Sequence, residues 1–325
     1  MSNKIKYILP FDYNRYDGGL QKISLSYQIF GKPIGNHPII LVVHALTGNS
    51  NVAYRRGWWS KLIGSNKIIN TNKFTVISFN IPGNGYDNIE ENLIYNYKDF
   101  IAIDIAKIFS IGLRKLKINK LYAAIGGSLG GGIVWELAML CPNLIKHIIP
   151  VASDWKSSDW LIANCFIQDS ILKNSLNPLY DARIHAMTLY RTPESFTSKF
   201  KTERNNGIHA VETWLNHHGK TLENRFKVQA YKTMNQLLKT ININNEQDLI
   251  IDLIIKITGT INIITIDSDL LFCSNESWKT FEKIKKVKKD VKIFEIKSEH
   301  GHDAFLIEND QMTNTLKAIF NNKYQ

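Results

Sequence analysis

The sequence predicts an α/β fold with a mostly parallel sheet, interrupted by an inserted helical segment. Three observations predict it. Short β-branched apolar runs alternate with longer stretches whose apolar residues recur every three or four positions. The alternation stops after Ala152 and resumes at Ile261, with helical patterns alone between them. The 325 residues, 44% hydrophobic, 11% aromatic and 21% charged, are enough for a full core carrying one large insertion. That composition also excludes disorder, coiled coil and low complexity.

Taken in order, Ser24–Phe30 with its neighbours reads as an antiparallel edge, and Ile39–His44 (IILVVH) and Phe74–Asn80 (FTVISFN) as buried strands, because each run is short, continuous and β-branched. Tyr97–Leu116 has apolar residues at helical spacing. Leu121–Ile125 is a strand, Gly131–Leu140 a helix and Lys146–Ala152 a strand on the same grounds. The insertion carries helical patterns at Trp160–Leu172, Val211–His217 and Gln229–Lys239. After it come the strand Ile261–Ile266, the helix Trp278–Lys286, the strand Val291–Lys297 and the helix Gln311–Phe320. The expected division is therefore a core of residues 1–152 and 261–325, with a helical cap over 153–260. Such a cap supplies walls and excludes water from a reactive site.

Cys141, Cys165 and Cys273 are too few and too scattered for a disulfide framework or a Cys-rich zinc site. The opening MSNKIKYILPFDYNRYDGG has no apolar run of signal-peptide length. The most apolar later stretch, Leu249–Ile266, is broken by Asp252, Lys256, Thr258, Gly259 and Asn262, short of the about 18 apolar residues a membrane span needs. A cytoplasmic protein without a membrane span is expected. Net charge is +11, and the excess is mostly lysine spread along the chain. A nucleic-acid surface would cluster Arg and Lys with aromatics, so no nucleic-acid partner is expected and the lysines read as surface solvation.

Chemistry enters at Leu121-Tyr-Ala-Ala-Ile-Gly-Gly-Ser-Leu-Gly-Gly-Gly132, a strand, then Gly126-x-Ser128-x-Gly130, then a helix. This is the nucleophile-elbow pattern, with a phosphate cradle or plain packing as the alternatives for a glycine-rich turn taken alone. A serine on so tight a turn needs nearly side-chain-free residues two before and two after, to avoid their colliding. It also aims the Leu129 amide, at a helix start, toward a developing oxyanion. A serine hydroxyl requires a base, and the base a carboxylate, in the chain order Ser, acid, His. Asp267-Ser-Asp269 follows one late strand and His300-Gly-His302 the other. Spacing alone leaves Asp267 against Asp269 and His300 against His302 open. The second oxyanion donor should follow an earlier strand, which makes the Leu46 amide the candidate and gives His44 a bracing role. His300-x-His302 and His217-His218 lack a third ligand at zinc spacing, so no metal is expected.

At these residues the chain resembles the homoserine O-acetyltransferases of the α/β-hydrolase superfamily. The carrying segments are HALTGNS at 44–50, GWWSKLIG at 57–64, GGSLGG at 126–131, YRTPESF at 190–196, IDSDLLF at 266–272 and GHDAFL at 301–306. The resemblance implies Ser128 as nucleophile, Asp269 as the triad acid, His302 as base, Leu46 and Leu129 as oxyanion donors and Asp303 as a ligand for the substrate's amino group. It implies acetyl-CoA as co-substrate with no permanently bound cofactor, L-homoserine as acceptor, a role in methionine synthesis and a homodimer through the cap. Two stretches depart from the family pattern. Asn80-Ile-Pro-Gly-Asn-Gly-Tyr86 stands where the family has a glycine- and cysteine-containing loop, and Asp169 where it supplies an arginine for the substrate carboxylate, with Arg191 and Arg183 as replacements. The alternatives are an esterase using the same triad, acetylation of serine, or succinyl-CoA as donor. A pure binding module is disfavoured, since every catalytic position holds a competent residue.

Overall fold

The computed structural model describes residues 4–241 and 247–320; residues 1–3, 242–246 and 321–325, which the expected core and cap ranges include, lie outside the described residues. Eight strands form one sheet: β1 (Lys6–Asn14), β2 (Leu20–Gly31), β3 (Ile39–Val43), β4 (Thr75–Phe79), β5 (Leu121–Gly127), β6 (Ile145–Val151), β7 (Thr260–Ile266) and β8 (Val291–Ile296). Their order is β1-β2-β4-β3-β5-β6-β7-β8. From β4 onward all neighbours are parallel, while β1 and β2 form the antiparallel edge. β3, β4 and β5 are buried at every position, as strands covered on both faces must be, and each Val, Ile or Leu so buried contributes about 1.5–3 kcal/mol. The outermost strand β1 carries Pro10, beside a register shift between Ile8 and Phe11, where a missing N–H is harmless.

Helices cover both faces. The core helices are α1 (Ala102–Lys115) and α2 (Leu129–Leu140). Between β6 and β7 the chain runs through α3 (Asp159–Asn174), α4 (Pro178–Tyr190), α5 (Pro193–Phe200), α6 (Ala210–Glu223), α7 (Val228–Lys239) and α8 (Gln247–Lys256). The chain then adds α9 (Ser274–Lys285), the single turn α10 (Ala304–Ile307) and α11 (Asn309–Phe320). One apolar cluster joins the faces of α1 and α2 to Leu161, Cys165, Ala182 and Tyr231 of α3, α4 and α7. The other lies under Trp59, Phe305 and α11 on the opposite face of the sheet. No helix among the described residues is long and apolar enough to cross a membrane.

One expected helix is broken in the structure. The expected helix Tyr97–Leu116 is broken into a 3₁₀ turn at Tyr97–Asp99 and α1, which starts only at Ala102. The reason is Asp104: its Oδ2 accepts the Ile101 amide, and its Oδ1 accepts the Tyr13 hydroxyl at 2.6 Å and the Tyr16 amide at 3.0 Å. A buried carboxylate so engaged fixes the helix start at its own first turn.

Candidate active site

Ser128 sits at the break between β5 and α2 with φ 56° and ψ −126°, a backbone region costly for any residue with a Cβ. The glycines around it make that conformation attainable. A Cβ on Gly126 would lie 2.3 Å from the Gly130 carbonyl oxygen. The two glycines do not simply avoid each other, however, because a Cβ on Gly130 would strike Val43 O at 2.3 Å and His44 O at 2.7 Å. The absent side chain at Gly130 therefore seats the first turn of α2 against the end of β3. The loop that carries Leu46 leaves the sheet there, and Leu129 opens α2, where its amide belongs to the first turn and has no helical acceptor.

The sheet edge brings three side chains together. His302 Nδ1 lies 2.7 Å from Asp269 Oδ2, and its Nε2 lies 2.9 Å from Ser128 Oγ. Because a carboxylate accepts, Nδ1–H donates to Asp269 and Nε2 accepts from the serine hydroxyl. Asp269, after β7, also accepts the Leu271 and Phe272 amides at 2.7 and 2.9 Å, so its ionised form is fully bonded. All three residues are at most 4% exposed. Burial disfavours the imidazolium of His302, but the charge and hydrogen bond of Asp269, with a smaller effect from Asp303, outweigh it and raise the pKa above 6.5. Phe272, Tyr190 and Phe305 rings surround the imidazole at 5.6–5.8 Å.

The residues that spacing left open are separated by the structure. Asp267 accepts the Ser298 amide at 3.0 Å and faces Lys297, away from the imidazole. His300 Nδ1 lies 3.1 Å from Ser195 Oγ on α5. Asp303 lies beside His302, and its Oδ2 accepts from Arg191 Nε at 3.0 Å. Asp169 on α3 accepts from Asn235 Nδ2 at 2.7 Å.

The Leu46 loop is braced by His44, as expected from the sequence, and by Asn80 and Asn84, which sequence reasoning missed. His44 is buried, and its Nε2 accepts the Ile81 amide at 3.0 Å and the Asn84 amide group at 3.2 Å, so the proton is on Nδ1 and donates to Ala45 O at 2.7 Å. Burial pushes its pKa down to about 4, which keeps it neutral. Asn80 Oδ1 accepts the Ser50 amide at 2.8 Å and its Nδ2 donates to Ser26 Oγ. The departing stretch 80–86 thus clamps the loop through Asn80 and Asn84. Trp58 donates to Asn49 O at 2.9 Å, and Trp59 to Phe305 O at 3.2 Å, which ties the tryptophan pair to both the Leu46 loop and the His302 segment. Among the described residues no group of three His, Cys, Asp or Glu side chains is placed to hold a metal ion.

Residues 38–258, more than half of the chain, match the α/β-hydrolase fold family. A homoserine O-acetyltransferase of Methanococcus vannielii is 30% identical over 94% of this chain and 70% of its own length. The chain belongs to the homoserine O-acetyltransferase family of α/β hydrolases. A second homoserine O-acetyltransferase, from Trichormus variabilis, is 29% identical over 93% of this chain and 89% of its own. Among solved structures, the homoserine O-acetyltransferase of Bacillus anthracis superimposes with a TM-score of 0.85 at 17% identity, covering 99% of this chain and 98% of that one. Esterase E22 does so with a TM-score of 0.84 at 17% identity over 98% and 100%. At such identities these structures establish the fold that the acetyltransferase-family chain shares with esterases.

Proposed function

We propose that the protein transfers the acetyl group of acetyl-CoA to the hydroxyl of L-homoserine through an acyl-Ser128 intermediate, in the cytoplasm and in methionine synthesis. The observation that carries this reading is the continuous hydrogen-bond path Ser128–His302–Asp269, at 2.9 and 2.7 Å, in a chain of this family. His302 Nε2 takes the Ser128 proton as Oγ attacks the thioester carbonyl. The Leu46 and Leu129 amides stabilise the tetrahedral oxyanion, and its collapse breaks the C–S bond and releases CoA as a thiol protonated by His302. Homoserine's hydroxyl then loses its proton to His302 and attacks the acyl carbonyl. That collapse returns the proton to Ser128 and releases O-acetylhomoserine. Asp269 holds the imidazole in one tautomer throughout.

Water competes as acceptor. The helical segment of residues 153–260 acts here as a cap, and placing the homoserine hydroxyl in near-attack geometry favours it over water by effective molarities of about 10⁵ M or more. Asp303, whose Oδ2 already holds Arg191, is the ligand for the substrate ammonium. A homodimer through the cap completes the reading. The test is to follow thiol release from acetyl-CoA or succinyl-CoA with homoserine, with serine and with no acceptor. Release from acetyl-CoA that depends on homoserine is expected, and Ser128→Ala lowers it at least roughly 10⁴-fold. Release at full rate without acceptor would establish a hydrolase instead.

A further inference from the structure

His302, the proposed base, is carried on residues 298–303, and this segment is held from two sides. On the core side, Gly301 N donates to Ser268 Oγ at 3.1 Å and Ser298 N to Asp267 Oδ1 at 3.0 Å, so it rests against the segment that carries Asp269. On the other side it meets the end of α4 and the start of α5, both from the helices between β6 and β7. Thr192 Oγ1 accepts the Ser195 amide at 3.0 Å, capping α5, and donates to Glu299 O at 2.5 Å. Ser195 Oγ lies 3.1 Å from His300 Nδ1. Gly301 has φ 63°, and a Cβ there would come within 3.0 Å of Tyr190 O and 3.3 Å of Thr192 Cγ2. Arg191 Nε donates to Asp303 Oδ2 at 3.0 Å.

Residues 190–195 thus grip positions 299, 300, 301 and 303, and their polar contacts skip 302. That leaves the two ring nitrogens of His302 to Asp269 and Ser128, at 2.7 and 2.9 Å. Thr192 and Ser195 are 3% and 4% exposed. A buried hydroxyl costs free energy unless it is bonded, and an apolar side chain would pack there without that cost. What the hydroxyls add is a fixed distance and direction between the start of α5 and the segment that carries the imidazole. Such a constraint matters for proton transfer, which needs heavy atoms about 2.6–3.2 Å apart, and a misplacement of about 1 Å costs on the order of 10²-fold.

We propose that Thr192 and Ser195 are positioning residues for the triad: from the start of α5 they latch residues 299 and 300, so that the His302 imidazole stays within reach of Ser128, while neither touches the reacting atoms. The latch rests on His302 being the base. It depends on neither the acyl donor nor the acceptor.

The test uses the intact protein with Ser195→Ala, Thr192→Val and Thr192→Ser. Ser195→Ala keeps the amide that Thr192 caps, so it removes the contact with His300 without uncapping α5. A fluorophosphonate probe reads the triad alone, because Ser128 Oγ attacks its phosphorus and expels fluoride as the base takes the serine proton. Labelling of Ser128 at least about tenfold slower in Ser195→Ala and Thr192→Val, with native circular dichroism and with Thr192→Ser within about threefold of wild type, is the expected result. Should Thr192→Val not fold, Ser195→Ala decides alone. In acetyl transfer the slowed variants lower kcat and leave the homoserine KM within about twofold. Proton NMR of the imidazoles, with His302→Gln to identify the resonance, gives an independent reading: the His302 Nδ1–H signal, shifted downfield by its bond to Asp269, is lost to faster exchange in the same variants. Labelling within about twofold of wild type overturns the latch, as does a rise in KM with labelling unchanged, or a Thr192→Ser protein as slow as Thr192→Val. If the wild-type protein transfers nothing to homoserine, the acceptor reading fails by itself and labelling still decides the latch. If wild-type Ser128 takes no label, the nucleophile reading fails, and the NMR signal decides: its loss in the variants supports the latch and its persistence overturns it.

Discussion

Ser128 combines two opposed demands, a reactive position and a backbone no serine prefers. Its φ of 56° and ψ of −126° is close to the mirror image of extended chain, which glycine visits freely and other residues only at a cost of about 1–3 kcal/mol. Ser128→Gly should therefore be more stable than Ser128→Ala by about 1 kcal/mol in denaturant titration, although both lose the hydroxyl. Equal midpoints would show that the turn stores no strain. His302 supplies a second test. Its pKa is raised, and its neutral form is the proposed base, so kcat/KM should fall as pH drops through a midpoint above 6.5. The linked stability has the opposite sense: the Asp269 pairing stabilises fully below the unfolded pKa near 6.5 and is lost as pH rises through the higher folded value. Asp269→Asn should move the activity limb downward, since burial then acts unopposed, with a rate loss of roughly 10⁴-fold. An unmoved limb would assign the titration to another group. Which aspartate and which histidine face the serine could not be read from spacing, since 267 and 269, or 300 and 302, leave the same strand end. Their partners Ser298 and Ser195 lie on other elements and decide it only in three dimensions.

Among elements, those with a strong period were the legible ones. The six expected core strands form within about two residues of their expected ends, because β-branched runs buried on both faces allow no other reading. The helices α4 and α5 were not read, although both begin with proline, at Pro178 and Pro193, and Thr192 Oγ1 caps α5 by accepting the Ser195 amide at 3.0 Å. Weak apolar periodicity hid α4 and a length of only 8 residues hid α5, while proline at a helix start was a usable signal. The bracing of the Leu46 loop by Asn80 and Asn84 had no such signal, since two asparagines in a glycine-rich loop also suit a plain turn. The seating of α2 on β3 predicts that Gly130→Ala, with a Cβ 2.3 Å from Val43 O, costs about 1–3 kcal/mol. It should also lower ester hydrolysis at least roughly 100-fold, by shifting the proposed oxyanion amides, while circular dichroism stays native. Hydrolysis within a factor of two of wild type would refute the close contact.

For the whole molecule, the α/β-hydrolase architecture was legible because strand rhythm, elbow and carboxyl-end positions agree with one another. What was not legible is the traffic between distant segments: Arg225 reaching Thr47, Trp59 reaching Phe305, and Thr192 Oγ1 donating to Glu299 O. These contacts link residues more than a hundred positions apart, and no local pattern encodes them. The same wide spacing governs how reactivity arises. The proposed oxyanion loop, nucleophile, acid and base leave the sheet at residues 46, 128, 269 and 302, and the proposed base sits beyond the outermost parallel strand, β8. During synthesis the hydroxyl is therefore made 174 residues before the imidazole that would activate it. A nascent or prematurely terminated chain carries an inert alcohol, and thioesters in its surroundings are safe from it until the far edge of the sheet has docked.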